Sequence, residues 1–221
     1  MENSDPTLIS NTAVQTVASV IDQRTMSRIS PLVVAIDGGS GAGKSMLAKA
    51  VAQLVGATVI HCDDFFSATI TDAVWDTYSP EQKCRQCIDW QRMRKEVLEP
   101  LLVGKVTQYH PFSFESKDGL APDWVRKEPA KVVILDGIYS TLPELSEMVH
   151  LTVLINVLPE VRRQRHNLRE GNDDVAWHAR WDPAEDYYFT VLRPPHVIRS
   201  SSRIIKSEFA KRHTPIRQAS K

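Results

Sequence analysis

Apolar positions along the chain alternate between two periods. Ile9, Ala13, Val17, Val20 and Ile21 recur at helical spacing behind Asp5-Pro6, a cap followed by a proline at the first helical position. Residues 5–28 are therefore expected to form an amphipathic helix. Packing on the outside of a sheet is its default role, and a homo-oligomer contact is the other. Pro31-Leu32-Val33-Val34-Ala35-Ile36-Asp37 is a continuous apolar run rich in β-branched residues, which reads as a buried parallel strand. Met46 to Leu54 returns to helical spacing, and Gly56 ends it. Ala57 to His61 is a second short strand.

Ser79-Pro80-Glu81-Gln82 carries a capping box and opens a helix. Asp89 caps another, with Trp90, Met93, Val97, Leu98 and Leu101 on its buried face and Gly104 at its end. Val106 to Phe114 is extended and aromatic, and Lys117-Asp118-Gly119 reads as a turn, so 105–120 is expected to be an inserted hairpin. Lys131 to Asp136 and Leu151 to Val157 are the third and fourth core strands. Pro159 opens a helix bearing Arg162, Arg163, Arg165 and Arg169, and Gly171 closes it. Residues 172–195 are polar and aromatic, and are grouped with that helix as a lid region, 159–195. Arg203 to Lys206 reads as a short last strand, and 208–221 as a frayed tail.

Strands alternating with helices predict a three-layer α/β/α fold around a five-stranded, mostly parallel sheet, with residues 1–30 as an N-terminal helix. The 221 residues suit a single domain. Lys+Arg and Asp+Glu both number 27, so formal net charge is zero and bulk binding to nucleic acid or an anionic membrane is not expected. No apolar run reaches the ~20 residues of a membrane span. The N-terminus lacks the basic start and apolar core of a secretory signal, which points to the cytoplasm. Of the three cysteines, Cys84 and Cys87 form a C-x-x-C with no second pair. Reduced thiols on one helix face are expected, rather than a zinc site.

The candidate chemistry starts at Gly38-Gly39-Ser40-Gly41-Ala42-Gly43-Lys44-Ser45, which matches G-x-x-x-x-G-K-[ST]. It lies between a predicted strand and a predicted helix, the context the motif requires. Glycines let successive N–H groups turn inward as an anion nest, and the helix adds its positive dipole end. Gly38 to Ser45, with Met46 at the helix start, are therefore assigned to a nucleoside triphosphate. Lys44 is expected on the β- and γ-phosphates and Ser45 on Mg²⁺.

Ligands of open α/β sheets bind outside the carboxyl ends of the strands. Asp63 and Asp64 follow the second strand, and Asp136 ends the third. A kinase acting on a small-molecule hydroxyl needs a base, a held Mg²⁺ and basic residues that close over the phosphoryl group. Asp63 or Asp64 suits the first role, Ser45 with Asp63 or Asp136 the second, and the arginine helix the third. Tyr109, His110 and Phe112 either line the acceptor pocket or form the hairpin core. A nucleotide-binding regulator is the competing reading. No Asn-Lys-x-Asp guanine-reading motif is present.

The loop, Asp63-Asp64-Phe65-Phe66, the strand ending Asp136-Gly137-Ile138-Tyr139 and the arginine helix together resemble the uridine kinase family of P-loop kinases. That group includes nicotinamide riboside kinase, phosphoribulokinase and bacterial pantothenate kinase. The resemblance covers most of 31–206. It implies ATP with Mg²⁺, Asp63 as general base and magnesium organiser, Asp136 beside the metal, and Arg162 and Arg165 in the lid. It also implies Asp89 near ribose hydroxyls, and Tyr109 and His110 near the base of a uridine- or cytidine-like nucleoside. Asp-Asp-Phe-Phe stands where uridine kinases usually have Asp-Ser-Phe-Tyr, and Tyr109-His110-Pro111-Phe112 replaces their Tyr-Asp-Phe. Nicotinamide riboside, pantothenate and antibiotic-type acceptors therefore stay open.

Overall fold

The structure, a computed structural model, describes residues 11–193. In chain order its elements are α1 (Asn11–Thr25), β1 (Leu32–Asp37), α2 (Lys44–Val55), β2 (Thr58–His61), α3 (Asp72–Trp75), α4 (Pro80–Gln86), α5 (Trp90–Met93), α6 (Glu99–Leu102), β3 (Thr107–Tyr109), β4 (Val125–Lys127), β5 (Val132–Asp136), β6 (Leu151–Leu154), α7 (Pro159–Glu170) and α8 (Val175–Tyr187). A 3₁₀ turn, Cys62–Phe65, follows β2. A π turn, Arg94–Leu98, joins α5 to α6.

The central sheet has four parallel strands in the order β2-β5-β1-β6. The expected fifth strand, Arg203 to Lys206, and the tail 208–221 lie outside the described residues, as do residues 5–10 of the first helix. Every residue of β1, β5 and β6 is buried. Successive side chains of a strand point to opposite faces. Leu32, Val34 and Ile36 accordingly pack with Val17 and Ile21 of α1 and Leu47 and Val51 of α2. Val33, Val133 and Leu135 face the other core, with Met93, Leu98, Trp181 and Tyr188. Burial on both faces is why these strands read as unbroken apolar runs.

Caps hold where the sequence places them. Ser79 and Gln82 form the reciprocal capping box of α4. The Asp89 carboxylate accepts from the Arg92 N–H at 2.9 Å. Gly56 and Gly171 end α2 and α7 with positive φ. Cys84 and Cys87 are buried.

Two stretches differ from expectation. The hairpin pairs β3 with β4 at Thr107↔Lys127 and Tyr109↔Val125, so the insertion runs beyond residue 120. The stretch 172–193, given no element of its own in the sequence reading, holds α8 and a following π turn, Tyr188–Leu192, with Trp181, Ala184 and Tyr188 buried in the core. Trp177, Trp181, Ala184 and Tyr188 do recur at helical spacing. Pro183 inside the run costs the helix an N–H donor. Core burial of two large rings, worth about 1.5–3 kcal/mol per fully buried apolar side chain, outweighs that cost.

Candidate active site

The loop turns through Gly41 (φ 75°) and Gly43 (φ 95°), a backbone that only glycine adopts without strain. A Cβ at Gly41 would also strike the Arg162 backbone. Gly38 N–H donates to the buried Asp37 carboxylate at 2.7 Å. Ala42 N–H donates to Gly39 O at 3.1 Å. Among the described residues none accepts from the N–H groups of Gly41, Gly43, Lys44 or Ser45. Unpaired N–H groups at the start of a helix are the arrangement an anion nest requires. Lys44 Nζ arches back to Gly39 O at 3.1 Å.

Strand register brings the acidic residues to this loop. His61 pairs with Asp136 across β2 and β5, and Ile36 pairs with Asp136 across β1 and β5. Asp136 is buried; its Oδ2 lies 2.9 Å from His61 Nδ1, while its Oδ1 has no partner among the described residues. Asp136 draws the His61 pKa upward. The 3₁₀ turn then presents Asp63 and Asp64 beyond the strand tip. Solvent reaches Asp63. Protein packed around it, and the like charges of Asp136 and Asp64, nevertheless push its carboxyl above 3.8, against the pull of Lys44 and Arg169. Crowding and like charge both disfavour the ionised carboxylate, which sets the direction of the shift.

Two groups fit a divalent cation. The orphaned Asp136 Oδ1 offers an oxygen ligand, and Ser45 is exposed at the start of α2. No group of three or more His, Cys, Asp or Glu side chains gathers as a metal cage among the described residues. Few protein ligands is the pattern of Mg²⁺, which keeps waters and takes phosphate oxygens.

The arginines of α7 divide. Arg162 Nη1 lies 2.5 Å from Glu185 Oε2 and 3.4 Å from Ser40 O, so it stands directly on the loop. Arg165 is partly buried. Arg169, which lies one further turn along, is near enough to Asp63 to oppose the rise of its pKa. Sequence reading singled out Arg162 and Arg165; the i, i+3, i+7 spacing contained Arg169 too. Glu185 was missed, because it comes from α8.

On the acceptor side the tertiary roles are mixed. Tyr109 is buried and donates its hydroxyl to Asp64 Oδ2 at 2.7 Å. Its ring lies in the core against Phe65. His110 lies against Trp124, with centroids 3.7 Å apart and the rings tilted by 40°, and its Nδ1 meets Ala121 O at 2.8 Å. Phe112 packs on Phe66. Asp89 is exposed but engaged as a helix cap. Arg92, unremarked in the sequence, fastens the two parts together: its Nη2 donates to Asp64 O at 2.9 Å and His110 O at 3.1 Å.

A family model described as RNA helicase matches residues 34–118, less than half the chain, in the part that holds the phosphate loop. The uridine kinase of Halobacterium salinarum is 26% identical over 171 residues, covering 76% of this chain and 74% of that protein. The uridine kinase of Geobacillus kaustophilus is 25% identical over 181 residues, covering 75% and 78%. A solved structure described as a possible uridine kinase from Bacillus stearothermophilus superposes with TM-score 0.61 at 18% identity, over 83% of this chain and 93% of that one. The helicase match covers the phosphate loop and the Asp63-Asp64 turn, whereas the kinase matches extend over about three quarters of the chain. Over about three quarters of its length the chain is thus similar, as a distant homologue at about a quarter identity, to uridine kinases.

Proposed function

We propose that this protein transfers the γ-phosphoryl group of ATP to a hydroxyl of a nucleoside or related riboside in the cytoplasm. The observation that supports this most is the position of Asp63. Its carboxylate stands past the end of β2, within electrostatic reach of Lys44, Asp136 and Arg169, and accepts no hydrogen bond from a described side chain. A base there meets an acceptor hydroxyl next to the terminal phosphate.

The open N–H groups of the loop cradle the β- and γ-phosphates, and Lys44 spreads the developing charge. Ser45 and Asp136, with Asp63 in support, hold Mg²⁺, which when bound neutralises phosphate charge. Asp63 orients the acceptor hydroxyl and takes its proton as the oxygen bonds to the γ-phosphorus and the bond to the ADP oxygen breaks. Arg162 and Arg165 close over the transferring group and exclude water. Asp64, Asp89, Tyr109, His110 and Phe112 border the acceptor side, with Tyr109 acting through Asp64. The domain 1–221 works as one unit, with α7 as its moving part and the hairpin as its acceptor wall.

ADP release measured against a panel of nucleosides, ribosides and small alcohols tests this. At least one nucleoside or riboside should raise release well above the water background. Stimulation only by pantothenate or another non-riboside alcohol would move the acceptor class. No stimulation by any member would favour a nucleotide-binding regulator.

A further inference from the structure

The buried carboxylates among the described residues are Asp37, Asp136 and Glu185. The first two stand at strand ends, where the sheet itself places them. Glu185 reaches the phosphate loop from a different element. It is 4% exposed, and its two oxygens lie 3.0 and 3.2 Å from Ser40 N. Its Oε2 is also 2.5 Å from Arg162 Nη1. A Cβ added at Gly39 would collide with the Arg162 guanidinium and come within 2.8 Å of Glu185 Oε2. Glycine at 39 thus makes room for this pair.

The two helices that supply the pair are held very differently. Trp181 and Ala184 of α8, and Tyr188 just after it, are core residues. The helix is tied to α3 by Arg180 with Asp72 and Asp76. It is tied to α4 by Lys83 Nζ on Arg180 O and Cys84 Sγ on Ala184 O, both at 3.0 Å. On α7 only His166 is buried. A carboxylate on a fixed helix therefore sets the direction of a guanidinium on an exposed one. A buried ion pair contributes little net stability, because desolvation offsets attraction. Its geometry instead fixes orientation.

We infer that Glu185 is a positioning residue that pins Ser40 within the phosphate loop and aims Arg162 at the terminal phosphate of a bound triphosphate. The inference rests on the nucleotide-kinase reading above. It implies that preference for triphosphate over diphosphate depends on Glu185, although Glu185 touches neither.

The test compares the affinities of ADP and a non-hydrolysable ATP analogue in four full-length proteins: wild type, Glu185→Gln, Arg162→Gln and the double variant. Glu185→Gln keeps an oxygen acceptor for Ser40 N–H but removes the charge that aims Arg162. Its triphosphate preference should fall by about tenfold, the order seen when an orienting partner is lost, with ADP affinity nearly unchanged. The double variant should lose no more preference than Arg162→Gln alone. It should also recover thermal stability relative to Glu185→Gln, because no buried charge is left unpaired. Retained preference in Glu185→Gln, or multiplying losses in the double variant, would overturn the inference. So would a parallel loss of ADP and ATP-analogue affinity, which marks a loop that has merely collapsed. If Glu185→Gln does not fold, the double variant decides: a preference equal to wild type sinks the idea. Wild type that binds neither nucleotide overturns the underlying kinase reading and the inference with it. Normal binding without acceptor turnover overturns only the reading of the reaction.

Discussion

The Tyr109 hydroxyl donates to Asp64 Oδ2 at 2.7 Å, and that bond separates two adjacent carboxylates. Asp64 is held against the hairpin, with its carbonyl also bound by Arg92. Asp63 faces Lys44, Asp136 and Arg169 with no described side chain donating to it. Neighbours in sequence thus belong to different halves of the site.

Asp63→Asn removes the proposed base and keeps the shape. Phosphoryl transfer should fall by about 10²- to 10⁴-fold, the usual worth of a positioned base. Nucleotide affinity should stay close to wild type. Single-turnover transfer and equilibrium nucleotide binding measure the two separately, and unchanged transfer would remove Asp63 from the mechanism.

The raised pKa of Asp63 sets the sign of a pH effect. A base works only when ionised, so kcat/KM should fall as pH drops through a value above the ordinary 3.8. Asp64 is one cause of the rise. Asp64→Asn should therefore move the acid limb to lower pH, by removing a like charge. A limb that stays in place, in a profile taken at saturating Mg²⁺, would count against Asp63 as the group that titrates.

Tyr109→Phe deletes the hydroxyl and leaves the buried ring in the core. Loss of this bond to a carboxylate should cost roughly 1.5–3 kcal/mol in denaturant unfolding. The acceptor KM should rise while nucleotide affinity holds. An unchanged acceptor KM would show that Asp64 needs no help from the hairpin.

Trp181→Ala tests whether α8 belongs to the core. Trp181 is 8% exposed, with ring centroids 5.2 Å from Trp75 and 5.8 Å from Phe66. Truncation should lower stability by about 3–5 kcal/mol. A loss under about 1 kcal/mol would fit a surface position instead.

Much of this was legible in the residues. Unbroken apolar runs located β1, β5 and β6, because a strand covered on both faces has no polar side to show. Caps at Ser79, Asp89, Gly56 and Gly171 follow from contacts within a few residues, which sequence records directly. The loop and the two aspartates after β2 were readable for the same reason. The helix α8 was not, because Pro183 and its mixed polar and aromatic residues masked the spacing of Trp181, Ala184 and Tyr188.

Local chemistry therefore determined the described strands of the central sheet, most helices, the phosphate-loop motif and the candidate donor residues of this protein. Only the tertiary structure decided that Tyr109 claims Asp64, that Asp136 meets His61 across the sheet, and that Glu185 reaches Ser40 and Arg162. Each of these contacts joins residues far apart in the chain. Their geometry is set by strand order and core packing, which no run of neighbouring residues encodes.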